Sequence, residues 1–252
     1  MPFPDDRVPA PAASGTPPGL DFGQAFRFSF EDPAWIKKML LGGLFTLLGM
    51  FIVGLFFVSG YFVRLIRRAA KGDARPLPDW DDLGGLFGEG APVVGAYLVY
   101  MMPLVLIPLF IGIVSVVVFG GTASLGERSQ EVASTMGAIL SLVILALYGL
   151  FMVAMLALMF YLPAALVRLS LIGRFGSAFE WRENVAFIRR NFGPYLLAIG
   201  FYLIASFVAQ FGVILCFVGV FPISFWSLCV LGWSLGQVAR GDAALMREAR
   251  SI

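Results

Sequence analysis

"PYLLAIGFYLIASFVAQFGVILCFVGVFPISFWSLCVLGWSLGQVA", residues 194–239, contains no Asp, Glu, Lys or Arg. A helix crosses the hydrocarbon core of a bilayer in about 20 apolar residues. This run is roughly twice that length, and Gly219 and Pro222 interrupt its middle. Gly and Pro end one helix and start the next. The run therefore predicts a tight two-helix hairpin, 195–217 followed by 221–238. Its apolar residues are continuous and do not alternate, which selects helices over barrel strands. In lipid only helices or closed barrels satisfy their own backbone polar groups.

Three more charge-free runs precede it, 39–63, 91–126 and 132–167, each long enough for one span. The composition agrees: 59 % hydrophobic and 13 % charged residues, with a mean hydropathy of +0.87. Soluble domains are nearer half apolar and a quarter charged. The expected fold class is all-α, a polytopic transmembrane helical bundle. Its membrane domain covers residues 21–243, between a Pro-rich tail at 1–20 and a short cytoplasmic tail at 244–252. The first 20 residues hold no apolar core after a basic start, so they do not read as a signal peptide. Pro103, Pro108 and Pro163 are expected to kink or end their helices.

Composition also narrows the chemistry. The 252 residues contain no His, which removes the commonest general base and transition-metal ligand. A net charge of +2 implies no nucleic-acid partner. Cys216 and Cys229 sit in apolar runs and read as small fillers.

Two pairs of short motifs recur in the same order. "FGQAF" at 22–26 matches "FGSAF" at 175–179, and "KGDA" at 71–74 matches "RGDA" at 240–243. Each pair brackets an amphipathic and then an apolar stretch, as expected of an internal repeat. In the first amphipathic stretch Phe22, Phe26 and Phe30 share a helical face. In the second, Ala178, Trp181, Val185 and Ile188 form the apolar stripe. Both are expected as interfacial helices, anchored by Trp35 and Trp181.

Lys and Arg cluster at 64–75, 168–190 and 240–250, while Arg128 alone lies between the second and third runs. Positive charge stays cytoplasmic, so the expectation is a multi-pass protein of the cell (inner or plasma) membrane with a cytoplasmic C-terminus. The run 39–63 leaves two readings open. One tilted span suits its length but places Lys37 and Lys38 outside. A re-entrant hairpin bent near Gly49 and Gly54 keeps every basic cluster on one side.

The polar joint between the first two runs is "RPLPDWDDLGGLFGEG", residues 75–90. Asp79 after Pro78 is placed to cap a helix, with Asp81 and Asp82 in its first turn, where the helix dipole favours negative charge. Trp80, Leu83, Leu86 and Phe87 supply apolar surface for docking on the membrane or on the spans. Arg64, Arg67, Arg68, Lys71 and Arg75 are near enough in sequence to pair with the acids. The competing reading is a magnesium or calcium site from Asp79, Asp81, Asp82 and Glu89, all hard oxygen ligands. The spacing is not an EF-hand loop, and a helix would splay Asp81 from Asp82 by about 100°. No second acidic motif completes such a site, and no metal or cofactor is expected.

This joint resembles the signature of an uncharacterised prokaryotic membrane-protein family, domain of unknown function 4013. The matching residues are Leu77, Pro78, Trp80, Asp81, Asp82, Gly84, Leu86, Phe87 and Gly90. Leu83 stands where the family usually has a second tryptophan, and Glu89 where it has an aspartate. The resemblance runs from about Phe22 to Asp242. It implies a multi-pass membrane protein without established activity or catalytic residues.

No nucleophile–base pair or phosphate-cradling loop stands out, and no charge interrupts the runs, as proton relays and voltage sensors require. Gln210 is the most polar group near mid-span and reads as an interhelical hydrogen-bonding group. Gly42, Gly43, Gly49, Gly54, Ser206 and Gly212 read as points of close helix approach. The expected role is non-enzymatic: interaction, membrane organisation or accessory work. The lipid bilayer, with anionic headgroups, is the partner, and a protein partner or second copy is compatible. A transporter or channel for an uncharged solute is the alternative, and a metal-dependent headgroup enzyme the third reading.

Overall fold

The computed structural model describes residues 20–126, 130–214 and 219–251, and every regular element among them is helical. The expectations for the tail before residue 20, for Arg128 and for Cys216 lie outside the described residues. The helices are α1 (Phe22–Arg27), α2 (Trp35–Leu48), α3 (Val53–Lys71), α4 (Leu83–Gly126), α5 (Gln130–Ile172), α6 (Trp181–Arg190), α7 (Phe192–Gln210), α8 (Val220–Gly241) and α9 (Ala243–Arg250). Of these, α4, α5, α7 and α8 are long and apolar enough to cross a membrane. The chain is an all-α transmembrane bundle.

The run 39–63 folds back. α2 has 14 residues, about 21 Å of helix, too short for a core of ~30 Å. A 3₁₀ turn at Gly49–Phe51 and a positive φ of 67° at Ile52 reverse the chain. A side chain at Gly54 would collide with the Phe45 carbonyl, so the two arms touch at the bend. Lys38 then lies beside the segment that follows α3, bonding the Leu77 carbonyl at 3.0 Å. Both ends of the hairpin therefore lie on one side, which agrees with the charge-based reading and not with a single tilted span.

The second hairpin is α7–α8. Its first arm ends at Gln210, seven residues earlier than the expected 217, followed by a 3₁₀ turn at Phe211–Ile214. The structure gives the sequence repeat a physical form. α3 and α8 pack side by side and parallel, with Gly232 against Phe62, Gly236 against Ala69, and Gln237 donating to the Ala69 carbonyl at 3.4 Å. These partners are separated by nearly the same interval as Lys71 and Arg240. Equivalent residues thus face each other across an axis running along the helices, as in parallel membrane repeats.

α4 and α5 have 44 and 43 residues. Neither stops at a proline: Pro92, Pro103 and Pro108 lie inside α4 and Pro163 inside α5. Neighbouring helices and local adjustment make this tolerable in membranes. Along 97–117 of α4 and 139–160 of α5 the described side chains are exposed or half-buried, with only Ile111 buried. Leu98, Val105, Val116, Leu142 and Leu150 are each at least 60 % exposed. Apolar residues bare on all sides over about 30 Å of helix match the thickness of the hydrocarbon core. This is the lipid-facing belt.

The small residues of α2 work as expected. A side chain at Gly42 would enter the Phe225 ring, and one at Gly43 would meet Pro222 at 2.7 Å. Gly42→Val is therefore expected to destabilise the fold by about 1–3 kcal/mol, the usual penalty for overpacking. An unchanged unfolding midpoint in mixed detergent micelles would contradict this contact.

Candidate functional site

Apart from Glu131 in the first turn of α5, the charged residues described in α1–α9 and their connections gather at one end of the bundle, where four groups organise them. The first is the acidic joint. α4 begins at Leu83, and the cap is Asp82: its carboxylate accepts from the Gly85 amide at 2.9 Å and its carbonyl from the Leu86 amide at 3.0 Å. The expectation that Asp79 caps this helix is corrected. Asp79 pairs instead with Lys38 at 2.9 Å, because Pro78 and Trp80 are buried against the bundle and turn the intervening carboxylate towards α2. Asp82 also pairs with Arg64 at 2.7 Å, and Glu89 bridges Arg64 and Arg67 at 2.9 and 2.8 Å. Asp81 is exposed. Asp79 and Asp82 thus have different partners, Asp81 is left exposed, and the three do not converge.

Lys38, 7 % exposed, is the hub of this joint. Its ammonium contacts Asp32 at 2.7 Å, Asp79 and the Leu77 carbonyl. Arg68 donates to the same carbonyl at 3.1 Å. Trp80 is buried, with its indole N–H donating to the Lys38 carbonyl at 3.1 Å. Of the two docking surfaces expected for it, Trp80 uses the spans: it stacks between Phe45 and Tyr61 and meets Phe225. Leu77 and Leu86 are buried, whereas Leu83 and Phe87 are each 42 % exposed. Glycines bring α3 and α4 together, since side chains at Gly60 and Gly90 would strike the Leu86 and Phe56 carbonyls. No contact explains Gly84, which has nothing within 4 Å of an added Cβ.

The second group surrounds Arg168, fully buried at the end of α5. Its guanidinium bonds Glu180 and forks onto Glu248 at 2.9 and 3.0 Å, with Glu183 at 4.0 Å. Glu248 belongs to α9. The segment expected as a tail from 244 is therefore a docked helix, with Leu245 buried against the bundle.

The third group centres on Asp242, which caps α9 by accepting from the Ala244 and Leu245 amides at 3.0 and 3.1 Å. It also accepts from Asn191 at 2.7 Å and Arg190 at 3.1 Å. Burial opposes its ionisation, but these hydrogen bonds outweigh burial and hold the carboxyl below its ordinary range. Asp32 behaves the same way, with burial overcome by Lys38 and the Ala34 amide. The Gly85 amide and then Arg64 lower Asp82. Each depressed carboxyl contributes stability in full above its unfolded value of about 3.9, and the contribution is lost as pH falls through the lower folded value. The unfolding midpoint is expected to be insensitive to these groups from neutrality to about pH 5 and to fall below about pH 4. Asp242→Asn should flatten that acid limb, and an identical limb in the variant would contradict the assignment.

The fourth group fixes the height of α6. The Ala178 carbonyl accepts from Tyr100 at 2.7 Å and from Asn184 at 2.8 Å, and Asn184 also donates to the Tyr161 hydroxyl at 2.8 Å. Tyr161 adjoins the end of the lipid-facing belt, so α6 lies at the belt's edge. Its inward stripe is Asn184 and Phe187, both fully buried. Of the expected apolar stripe, Ala178 is fully buried, Trp181 is 65 % exposed, and Val185 and Ile188 are half-buried, so Trp181 faces outward. The polar Asn184 is accommodated inside because it finds two partners there. A shallow outward depression runs along Trp181, Arg182, Val185, Ala186, Arg189 and Arg190.

Gln210 is not a mid-span contact. It is exposed at the last residue of α7, beside the turn. Sequence reading also missed Arg168, Asn184 and Asp242 as organising residues. Arg168 had a visible signal, as the first charge after the charge-free run 132–167. Asp242 stood in the repeated motif at 240–243, but its bonds to Asn191 and Arg190 reach another element, and Asn184 carried no signal.

A family model described as a protein of unknown function, DUF4013, matches residues 43–218. No curated protein and no solved structure matches the chain.

Proposed function

Because the chain belongs to the DUF4013 family of proteins of unknown function, its role has to be argued from its own geometry, and we propose a non-enzymatic membrane scaffold that binds anionic lipid through α6. The observation that supports this reading most is the outward face of α6 at the edge of the lipid-facing belt. There Trp181 stands exposed beside Arg182 and Arg189, neither of which enters an ion pair among the described residues. An amphipathic aromatic beside free guanidinium groups suits the headgroup layer, where Trp anchors and Arg meets phosphate. By contrast Asp79, Asp82 and Glu89 are already committed to Lys38, Arg64 and Arg67, which favours bracing over catalysis for the acidic joint.

The same reading places the charged end in the cytoplasm, by the excess of Lys and Arg, and the protein in the cell membrane. The test uses the full chain in detergent with equal amounts of phosphatidylglycerol and phosphatidylcholine, followed by native mass spectrometry. Several-fold preferential retention of phosphatidylglycerol is expected, reduced to parity by Arg182→Ala with Arg189→Ala. Equal retention by the unaltered protein would refute the proposal. Labelling of Ser251→Cys by an impermeant maleimide in intact cells would refute the orientation.

A further inference from the structure

A cavity of about 640 Å³, open on one side, lies between the helices, walled by Phe62 of α3, Met101 of α4, Met159 and Leu162 of α5, Tyr202 of α7 and Leu231 of α8. Its volume is that of a small-molecule site, about 300–1,000 Å³. A dry apolar cavity of about 150 Å³ takes one benzene, so this one has room for about four times as much hydrocarbon, the bulk of a long chain. The geometry points to one acyl chain of a bilayer phospholipid, entering sideways between the helices, as its occupant.

Continuity with the lipid-facing surface argues for that occupant. Leu55, Tyr97 and Met159 line the cavity and are also 43, 45 and 43 % exposed. Tyr97 and Met159 belong to the belt itself. The molecules that lie against the belt are acyl chains, and they reach the cavity without crossing any polar barrier. Water is a poor filler, because it needs two to four polar partners and the wall is mostly hydrocarbon. Met101, Met155 and Met159 give the wall the adaptable surface that suits a flexible chain. Ser59, Tyr97 and Tyr202 also line it, and none of their hydroxyls has a hydrogen-bond partner among the described residues. They suit the ester group at the head of an acyl chain, in the pattern of an apolar site with a few polar groups.

The test places the full chain in phosphatidylcholine vesicles doped with phosphatidylcholine bearing a diazirine on one acyl chain. After irradiation, labelling is mapped by peptide mass spectrometry. Leu142, Leu145 and Val153 in the belt report ordinary contact with surrounding lipid. Several-fold enrichment at Met101, Met159 and Leu162 over those positions is expected. Leu162→Trp, which fills the space, should bring cavity labelling down to the belt level while belt labelling stays constant. Cavity labelling no higher than the belt, or enrichment that survives filling, would overturn the assignment. Native mass spectrometry of the unaltered protein gives a second reading that needs no variant. One phosphatidylcholine retained per chain after extensive delipidation supports the site, and a chain stripped bare overturns it. Because the lipid used is zwitterionic, failure here is distinguishable from failure of anionic-lipid binding at α6.

Discussion

Trp80→Ala is expected to destabilise the fold by about 3–5 kcal/mol, the range for truncating a buried Trp or Phe. The ring is 7 % exposed. It lies parallel to Phe45 at 4.8 Å and to Tyr61 at 4.6 Å, and 5.7 Å from Phe225. These rings come from α2, α3 and α8, so one side chain joins both halves of the repeat. Truncation removes the stacks, leaves a cavity and frees the Lys38 carbonyl from its indole donor. Lys38 is itself buried among Asp32, Asp79 and the Leu77 carbonyl, so displacement of the joint would also disturb a buried charge. Trp80→Phe keeps an aromatic in the stack and removes the N–H, and should lose less than half as much. Reversible unfolding in mixed micelles by titration with SDS provides the measurement. A Trp80→Ala midpoint within error of the unaltered protein would show that the joint does not brace the bundle.

The second large effect is expected at Arg168. Glu180→Gln combined with Glu248→Gln should destabilise by about 3–5 kcal/mol, because it strands a fully buried guanidinium with only the distant Glu183 for compensation. Arg168→Ala should lose less from charge. The carboxylates it releases are 32 to 55 % exposed and can be rehydrated. The asymmetry between the two variants tests the geometry more sharply than either alone. A second readout follows from α9, whose Glu248 supplies the fork. With that grip removed, trypsin should cleave after Arg247 several-fold faster while cleavage elsewhere is unchanged. Equal stability of both variants, with unaltered proteolysis, would mean that the cluster does not hold α9.

How much was legible in the sequence depends on the kind of physics involved. The charge-free runs report directly on partition between water and hydrocarbon, which each segment decides for itself; those at 91–126, 132–167 and 194–239 located α4, α5, α7 and α8, and the one at 39–63 marked the α2–α3 hairpin. The repeated motifs at 22–26 and 175–179, and at 71–74 and 240–243, marked equivalent points of two hairpins. Gly42, Gly43 and Gly54 sit at close approaches, as their lack of a side chain suggested. In the acidic joint Leu77, Trp80 and Leu86 pack against the bundle, but the cap is not where the pattern put it. A proline followed by an aspartate looks like a cap at Asp79, yet the cap is Asp82. The local pattern offered three carboxylates for one role, and the choice fell to cations on α2 and α3. Gln210 was misplaced for a related reason. Its polarity was known, but not which neighbours were available to meet it.

By itself the amino-acid sequence determined the membrane-embedded helical class, the positions of the long spans and the clustering of Lys and Arg, Arg128 excepted, at one end. These follow from the transfer of side chains between water and lipid, to which each residue contributes additively. Only the tertiary structure decided that residues 39–63 turn back, that Asp79 and Asp82 serve different partners, that Arg168 grips α9, and that a cavity opens between the helices. Each depends on which surfaces meet at a few ångströms, and close contact between segments far apart in the chain is not additive along it.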